Sequence, residues 1–519
     1  MKHKILLLLA LCVSASMQAT VKPKFATYGS VGSLTNRQNV QGYKYASVPT
    51  SDKSMVVGKR ETASLAGSGS PKVPVILVQF PNKSFTVAAS DQIADFYDKY
   101  CNGTRDGQLY KGAGSYGSIR DYFYDQSDGV FSPEFVIIGP VTISNDYQYY
   151  GQNSSKKNKD IHLGDLYKEA ISKTEDMGIL WSQFDNNNDG IVDMAYFIYA
   201  GQGENSSGVA SDIWPSERTT SETINGVTYG AYGCCNELLG SKADGIGVMC
   251  HELSHALGFP EFYDRNYKAF GLDFWDLMDA GSYCKDGYHP CGYSAYERSF
   301  MGWRDLITLT PGVGATITIY PMTHPLGRGY KIVNPVHPNE YYIIENRQSE
   351  SWDQYIGYGT PTWGYRSGLM ITHVDYDEQV WVTNEVNSDE NHQHLTLIPA
   401  DGDFIAQYLA ESMEDYLASM AGDLYPGSMN VIHFKDEQQI VYYGTTMGQP
   451  ITDITQNIDG SITFNFCGGE PDAIEPNPIF KTNQPRNIYD ITGKKADNLD
   501  KNQFKGKIFI INGKKVLVK

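Results

Sequence analysis

Long apolar runs are missing from this chain beyond its first residues. None approaches the roughly 20 residues that a bilayer-spanning helix needs. Basic charge is in deficit: 42 Lys and Arg stand against 60 Asp and Glu, for a net charge of −18. Such a balance argues against a nucleic-acid partner and suits a secreted, soluble protein able to hold divalent cations. Cysteine is sparse, with eight residues, one of them (Cys12) near the N-terminus. The remaining Cys101, Cys234, Cys235, Cys250, Cys284, Cys291 and Cys467 are odd in number, and their spacing makes neither a disulfide scaffold nor a zinc ribbon. Cys284 and Cys291 bracket a short Gly/Pro loop and are a candidate pair. Histidine is scarce too, at 11 of 519 residues, so two histidines four apart draw attention.

The chain length points to two or three domains. Residues 1–19 read as a signal peptide, with Lys2 and Lys4 before an apolar stretch and Met17-Gln18-Ala19 as a cleavage site. Residues 20–71 are polar, end in Gly67-Ser68-Gly69-Ser70-Pro71, and read as a propeptide and linker. Residues 72–310 form the expected main domain. A buried strand spans 73–80, helices cover 89–101, 118–126 (capped by Ser118) and 160–177, and a strand covers 191–200. The stretches 213–215 and 231–233 read as parts of an irregular edge facing a cleft. From 311 to 467 short alternating runs at 316–320, 341–345, 369–374, 431–443 and 451–466 predict an antiparallel β region. His373 and Asp375, on one of those runs, read as structural. Residues 468–479 are an acidic, Pro-rich linker. Residues 480–519 carry ten Lys/Arg against three Asp and alternate like strands joined by Gly-Lys turns.

The chemistry concentrates in His251-Glu252-Leu253-Ser254-His255-Ala256-Leu257-Gly258-Phe259-Pro260-Glu261, a pattern H-E-x-x-H-x-x-G-x-x-E. On a helix, His251 and His255 share one face and present two imidazoles to one metal ion. Glu252 projects beside them as a general base for a metal-bound water. Gly258 permits a left-handed exit, and Pro260 prevents continuation, so the chain swings back and offers Glu261 as third ligand. Asp264 is the fallback third ligand. Cys250 reads as a small packed residue, since a fourth protein ligand would close the site.

Upstream, Asp185-Asn186-Asn187-Asn188-Asp189-Gly190-Ile191-Val192-Asp193 has oxygen-bearing side chains at positions one, three, five and nine and Gly at six. With the Ile191 carbonyl, Asp185, Asn187, Asp189 and Asp193 have the spacing of a calcium loop. Tyr196 stands where an EF-hand has its bidentate Glu, so a full EF-hand is excluded. Downstream, Met278 is a candidate floor beneath a three-ligand zinc site.

The blocks HELSHALGFPEFYD, DNNNDGIVDMAYFIYAG and WDLMDAGSY, with ENR at Glu345 and LMITHVD at Leu369, resemble the immune inhibitor A family of secreted metallopeptidases. The resemblance covers roughly residues 73–400. It implies an α+β protein: a metzincin-like zinc peptidase domain with a twisted sheet and an active-site helix, then an antiparallel β region. It implies a precursor, with His251 and His255 as zinc ligands and Glu252 as base. Family members usually have Asp where Glu261 stands here. The C-terminal segment resembles a type IX secretion sorting domain, which implies secretion machinery as a partner and an extracellular or cell-surface location. The expected activity is zinc-dependent endopeptidase action on proteins, with calcium as second cofactor and Tyr283 as an oxyanion donor. Two rival readings are a secreted adhesion protein with a structural zinc site and a zinc hydrolase acting on a non-peptide amide.

Overall fold

The computed structural model describes residues 63–103, 115–154, 160–364 and 366–468, together with three strands near the C-terminus. The expected signal peptide, most of the propeptide segment and the acidic linker lie outside the described residues. The chain divides into a unit ending at Pro471 and a second beginning at Asp472.

The first unit is built on a six-stranded sheet. Strands β1 (Lys72–Gln79), β2 (Glu134–Thr142), β3 (Ala195–Gln202), β4 (Ser216–Thr219) and β5 (Ala231–Leu239) follow the order β2-β1-β3-β5-β4, and a short strand, Lys242–Ala243, pairs with β5. β1, β2, β3 and β5 are parallel, while β4 runs antiparallel along β5. A parallel strand covered on both faces must be apolar throughout, which is why β1 reads as one continuous run. Alternate side chains feed two cores. Val75, Leu77 and Ile198 enter one; Ile76, Val78 and Phe197 enter the other.

Helices α1 (Ile93–Asn102), α2 (Ile119–Gln126) and α4 (Gly247–Ala256) cover the first core, and α3 (Leu163–Ser172) covers the second. Ser118 begins α2 with a capping box completed by Asp121. Several elements are shorter than the sequence predicts. Residues 89–92 form a turn closed by Gln92 N–H to the Ala89 carbonyl, so α1 starts late. The helix expected to reach 177 ends at Ser172, and a 3-10 turn, Glu175–Met177, follows before Gly178 at φ 67°. The strand expected over 191–200 is two: Ile191–Val192 pairs with Val227–Tyr229, and β3 begins at Ala195. The break falls at Asp193, whose carboxylate accepts from Asn186 Nδ2 at 2.9 Å. Residues 231–233, expected at an irregular edge, open β5, which lies inside the sheet.

The Gly67–Pro71 stretch, read as a linker, is docked. Gly69 N–H donates to the Val130 carbonyl, the Gly67 carbonyl accepts from Trp303 Nε1, and neighbouring Leu65 is buried with its N–H on the Ala256 carbonyl. Such backbone pairing holds an otherwise flexible Gly/Ser sequence in place.

Beyond residue 310 the antiparallel expectation holds for most runs. Strands β6 (Ala315–Ile319), β11 (Ile451–Gln456) and β12 (Ile462–Phe466) make one sheet. Strands β7 (Tyr330–Val333), β8 (Glu340–Arg347), β9 (Gly368–Asp375) and β10 (Leu395–Leu397) make most of another. Residues 431–443 depart from it. They form irregular chain with one 3-10 turn, Asp436–Gln438, and a single bridge from Phe434 to Ile451. The first core runs through both halves, since Leu253 and Met278 share it with Trp352, Trp381 and Leu424. In the second unit, strands β13 (Ile488–Asp490), β14 (Lys507–Ile511) and β15 (Lys514–Val518) form an antiparallel sheet. All seven cysteines in the described residues are free, so the expected Cys284–Cys291 pair is not joined. Both thiols are buried within the first core, where packing accounts for them.

Candidate metal centre

Every residue of α4 is buried, because it lies under the sheet and is closed over by later chain. At its start, Gly247 leaves no room for a side chain: a Cβ there would overlap the Ser282 carbonyl oxygen. At its end, Gly258 takes φ 101°, a value that favours glycine, and its N–H bonds to the His255 carbonyl. The chain then returns past the helix, as the Gly-Pro pattern predicts.

That return brings His251, His255 and Glu261 together with their donor atoms within 4.8 Å of one another. His251 Nε2 lies 3.1 Å from Glu261 Oε2, and His255 Nε2 lies 3.2 Å from Glu261 Oε1. The two rings cross at 85° with centroids 4.8 Å apart. All three side chains are sealed from solvent. Each imidazole is set by its other nitrogen. His251 Nδ1 donates to the Leu277 carbonyl and His255 Nδ1 to the Phe259 carbonyl, both at 2.8 Å. Protonation at Nδ1 leaves each Nε2 with a lone pair turned toward Glu261.

The electrostatics follow from that sandwich. Burial opposes charge on His255, but Glu261, and then Glu252 and Glu217, outweigh it and raise its pKa to about 9. Burial pushes Glu261 up, yet His255 and His251 pull harder and hold it at about 2. The pocket therefore stabilises positive charge between an anionic carboxylate and two rings. Both Nε2 atoms and both Glu261 oxygens are buried with no hydrogen-bond partner. Buried donors and acceptors are rarely left so, and four facing one point fit a divalent cation.

The turn holding Met278 sits against this group. Leu277 supplies the carbonyl to His251, and the Met278 carbonyl accepts from Phe262 N–H at 3.0 Å. Met278 itself is fully buried in the first core. Glu252 is buried one position after His251, and its charge is felt by His255 and by the Tyr196 phenol. Asp264, the alternative third ligand, is outside the group. Its carboxylate accepts three backbone N–H groups, from Asn266, Lys268 and Ala269, at 2.7 Å each. The Tyr283 hydroxyl accepts from Asn205 Nδ2 at 3.1 Å.

Two contributors have no signal in the sequence. Asn384 Oδ1 accepts the Glu261 N–H at 2.7 Å across 123 residues, and the Asn384 carbonyl accepts from Arg265. Glu217, on β4, is buried with its pKa raised to about 7 by burial, His255 opposing. Neither belongs to a local motif, so only the tertiary structure reveals it.

The 185–193 loop closes on itself. Asp185 accepts from the N–H groups of Asp189 and Gly190, and Asp189 accepts from Ile191 N–H. Asn186 ties the loop to β1 by accepting from Lys72 N–H at 2.8 Å. Asp193, buried, is raised to about 6 by burial against the Asn186 hydrogen bond, with Asp189 and Asp185 adding repulsion.

Residues 61–304 match the family model of the immune inhibitor A peptidase M6 catalytic domain. This stretch belongs to the immune inhibitor A peptidases. The chain is 24% identical over 269 residues to the pre-pro-metalloprotease PrtV of Vibrio cholerae serotype O1 (strain M66-2), a match covering 44% of this chain and 29% of that one. It is 25% identical over 216 residues to immune inhibitor A of Bacillus thuringiensis subsp. alesti, covering 36% of this chain and 31% of that one. The chain thus spans under a third of the length of these relatives. The matched family region contains Glu252 and the group of His251, His255 and Glu261 assembled by α4 and the turn after it. Among the described residues no helix is long and apolar enough to cross a membrane.

Proposed function

We propose that the protein is a secreted zinc-dependent endopeptidase that hydrolyses peptide bonds of extracellular proteins. The convergence of two pre-oriented imidazoles and one carboxylate on a single buried point carries this reading. Three protein ligands at most leave one position of a tetrahedral ion for a reactant. Zinc held there supplies Lewis acidity and lowers the pKa of water.

The chain's own groups do the rest. The Leu277 and Phe259 carbonyls accept from the Nδ1–H groups of His251 and His255, which leaves each Nε2 to face the ion. Glu261 supplies the negative charge that holds the ion. Glu252, beside the first ligand, takes the proton of the attacking water and returns it to the leaving amine. Tyr283 is assigned as an oxyanion donor, and Met278 as the floor that keeps the His251 ring in place through Leu277. In our reading this is a metzincin-like arrangement. Calcium at Asp185, Asn187, Asp189, Ile191 and Asp193 pins the loop before β3, and the C-terminal sheet serves as the secretion signal.

The test is Glu252→Ala. The variant should bind zinc as the wild type does and lose at least about a hundredfold in peptide hydrolysis, the scale of a positioned acid/base. Casein cleavage at the wild-type rate removes Glu252 from that role. Zinc binding without hydrolysis by the wild type favours a structural site in an adhesion protein.

A further inference from the structure

A second group of metal-ligating side chains stands apart from the first. The donor atoms of Asp375, His392 and His394 lie within 4.8 Å of one another. Among the described residues only this group and the His251 centre meet that condition. His392 Nε2 is 2.7 Å from Asp375 Oδ2, and His394 Nδ1 is 3.6 Å from the same oxygen and donates to the Asp375 carbonyl at 2.7 Å, a proton that zinc bound at this nitrogen displaces. The two rings stack at 4.6 Å, and Tyr442 stacks on His392 at 3.8 Å. The rings are thereby held at the carboxylate, with little rotamer freedom left to lose on binding.

Access and field both favour a cation. Asp375 is buried, while the side chains of His392 and His394 are 34% and 16% exposed, so an ion can enter from solvent and keep water ligands. The loop from 376 to 394 contains Asp377, Glu378, Glu385, Asp389 and Glu390 and no Lys or Arg. Imidazole nitrogens with a carboxylate suit zinc, whereas calcium prefers an all-oxygen shell.

We propose that Asp375, His392 and His394 form a second zinc site that staples the base of the 376–394 loop. Asp375 ends β9, and the two histidines immediately precede β10, so one ion joins both ends of the loop. The loop reaches the first centre directly. Its Asn384 holds the Glu261 N–H, and Asn387 Nδ2 donates to the Phe262 carbonyl. Asn266 Nδ2 in turn donates to the loop's Ser388 carbonyl. Zinc at the loop base therefore steadies the segment that positions Glu261.

The experiment is zinc stoichiometry of the full chain, by elemental analysis after equilibration with Zn2+ and removal of loose ions. The wild type should hold two zinc ions. His392→Gln and Asp375→Asn, tested separately, should each hold one and bind the lost ion at least tenfold more weakly. His251→Gln should lose the other ion and keep this one. Zn2+ should also slow hydrogen exchange across 376–394 in the wild type and in His251→Gln, but not in His392→Gln. A zinc content that neither His392→Gln nor Asp375→Asn lowers overturns the proposal. Calcium displacing zinc from this site at equal concentration overturns it as well.

Discussion

Asn384→Gly probes whether distant chain sets the first centre. Asn384 sits in the left-handed region at φ 59°, so glycine is accepted there without the strain that alanine would add. The substitution removes Oδ1 and leaves the Glu261 N–H, now bonded at 2.7 Å, as a buried donor without its acceptor. Such a loss costs about 1–3 kcal/mol. The Arg265 contact runs to the Asn384 carbonyl and survives. If the cost falls on the conformation that presents Glu261, zinc affinity drops by about 5- to 150-fold at 1.4 kcal/mol per decade, overlapping the 10–100-fold effect of outer-shell partners. Chelator competition on the purified chain measures this, with urea unfolding of the apo form as control. An affinity within twofold of wild type, with stability lowered, would show that Glu261 is placed by the α4 exit alone.

The remaining predictions concern the same core. Glu261→Ala should abolish tight zinc binding at the first centre, whereas Asp264→Ala should leave it intact while destabilising the fold, since three backbone donors lose their acceptor; zinc lost from that centre only in Asp264→Ala reverses the ligand assignment. Gly247→Ala should lower stability by about 1–3 kcal/mol, because α4 must move away from the Ser282 carbonyl; an unchanged urea midpoint would contradict that packing. Asp244, before α4, is raised to about 7 mainly by burial, with Asn236 and Gly245 hydrogen bonds opposing. The folded state then holds a proton that the unfolded chain releases near pH 4, so this group's contribution to stability falls as pH rises from about 4 to 7. Asp244→Asn should flatten that slope in urea melts between pH 5 and 8, and an identical slope in both proteins would refute the burial argument.

Where local spacing carried the information, the sequence reading and the structure agree. The α4 motif works this way. Four-residue spacing puts His251 and His255 on one face, and Gly258 at φ 101° turns the chain back within three residues to Glu261. β1 was legible because a strand covered on both faces has to be apolar at every position. Ser118 was legible because its cap is closed by its own helix. Boundaries were less legible, since the split at Asp193 depends on Asn186, which is itself tied to Lys72 more than a hundred residues away.

Local spacing settles which residues can meet one ion from a helix and the bend after it, because backbone geometry fixes contacts over eleven residues. It left open the choice between Glu261 and Asp264, since both lie past the turn and both are carboxylates. Tertiary structure decided that Asp264 spends its oxygens on three N–H groups of its own loop, while Glu261 faces the rings with its backbone held by Asn384. It also decided that Asp375, separated by a loop from His392 and His394, shares a site with them. Cross-strand pairing and core packing bring such groups together, and residues far apart in the chain carry no periodicity that announces the meeting.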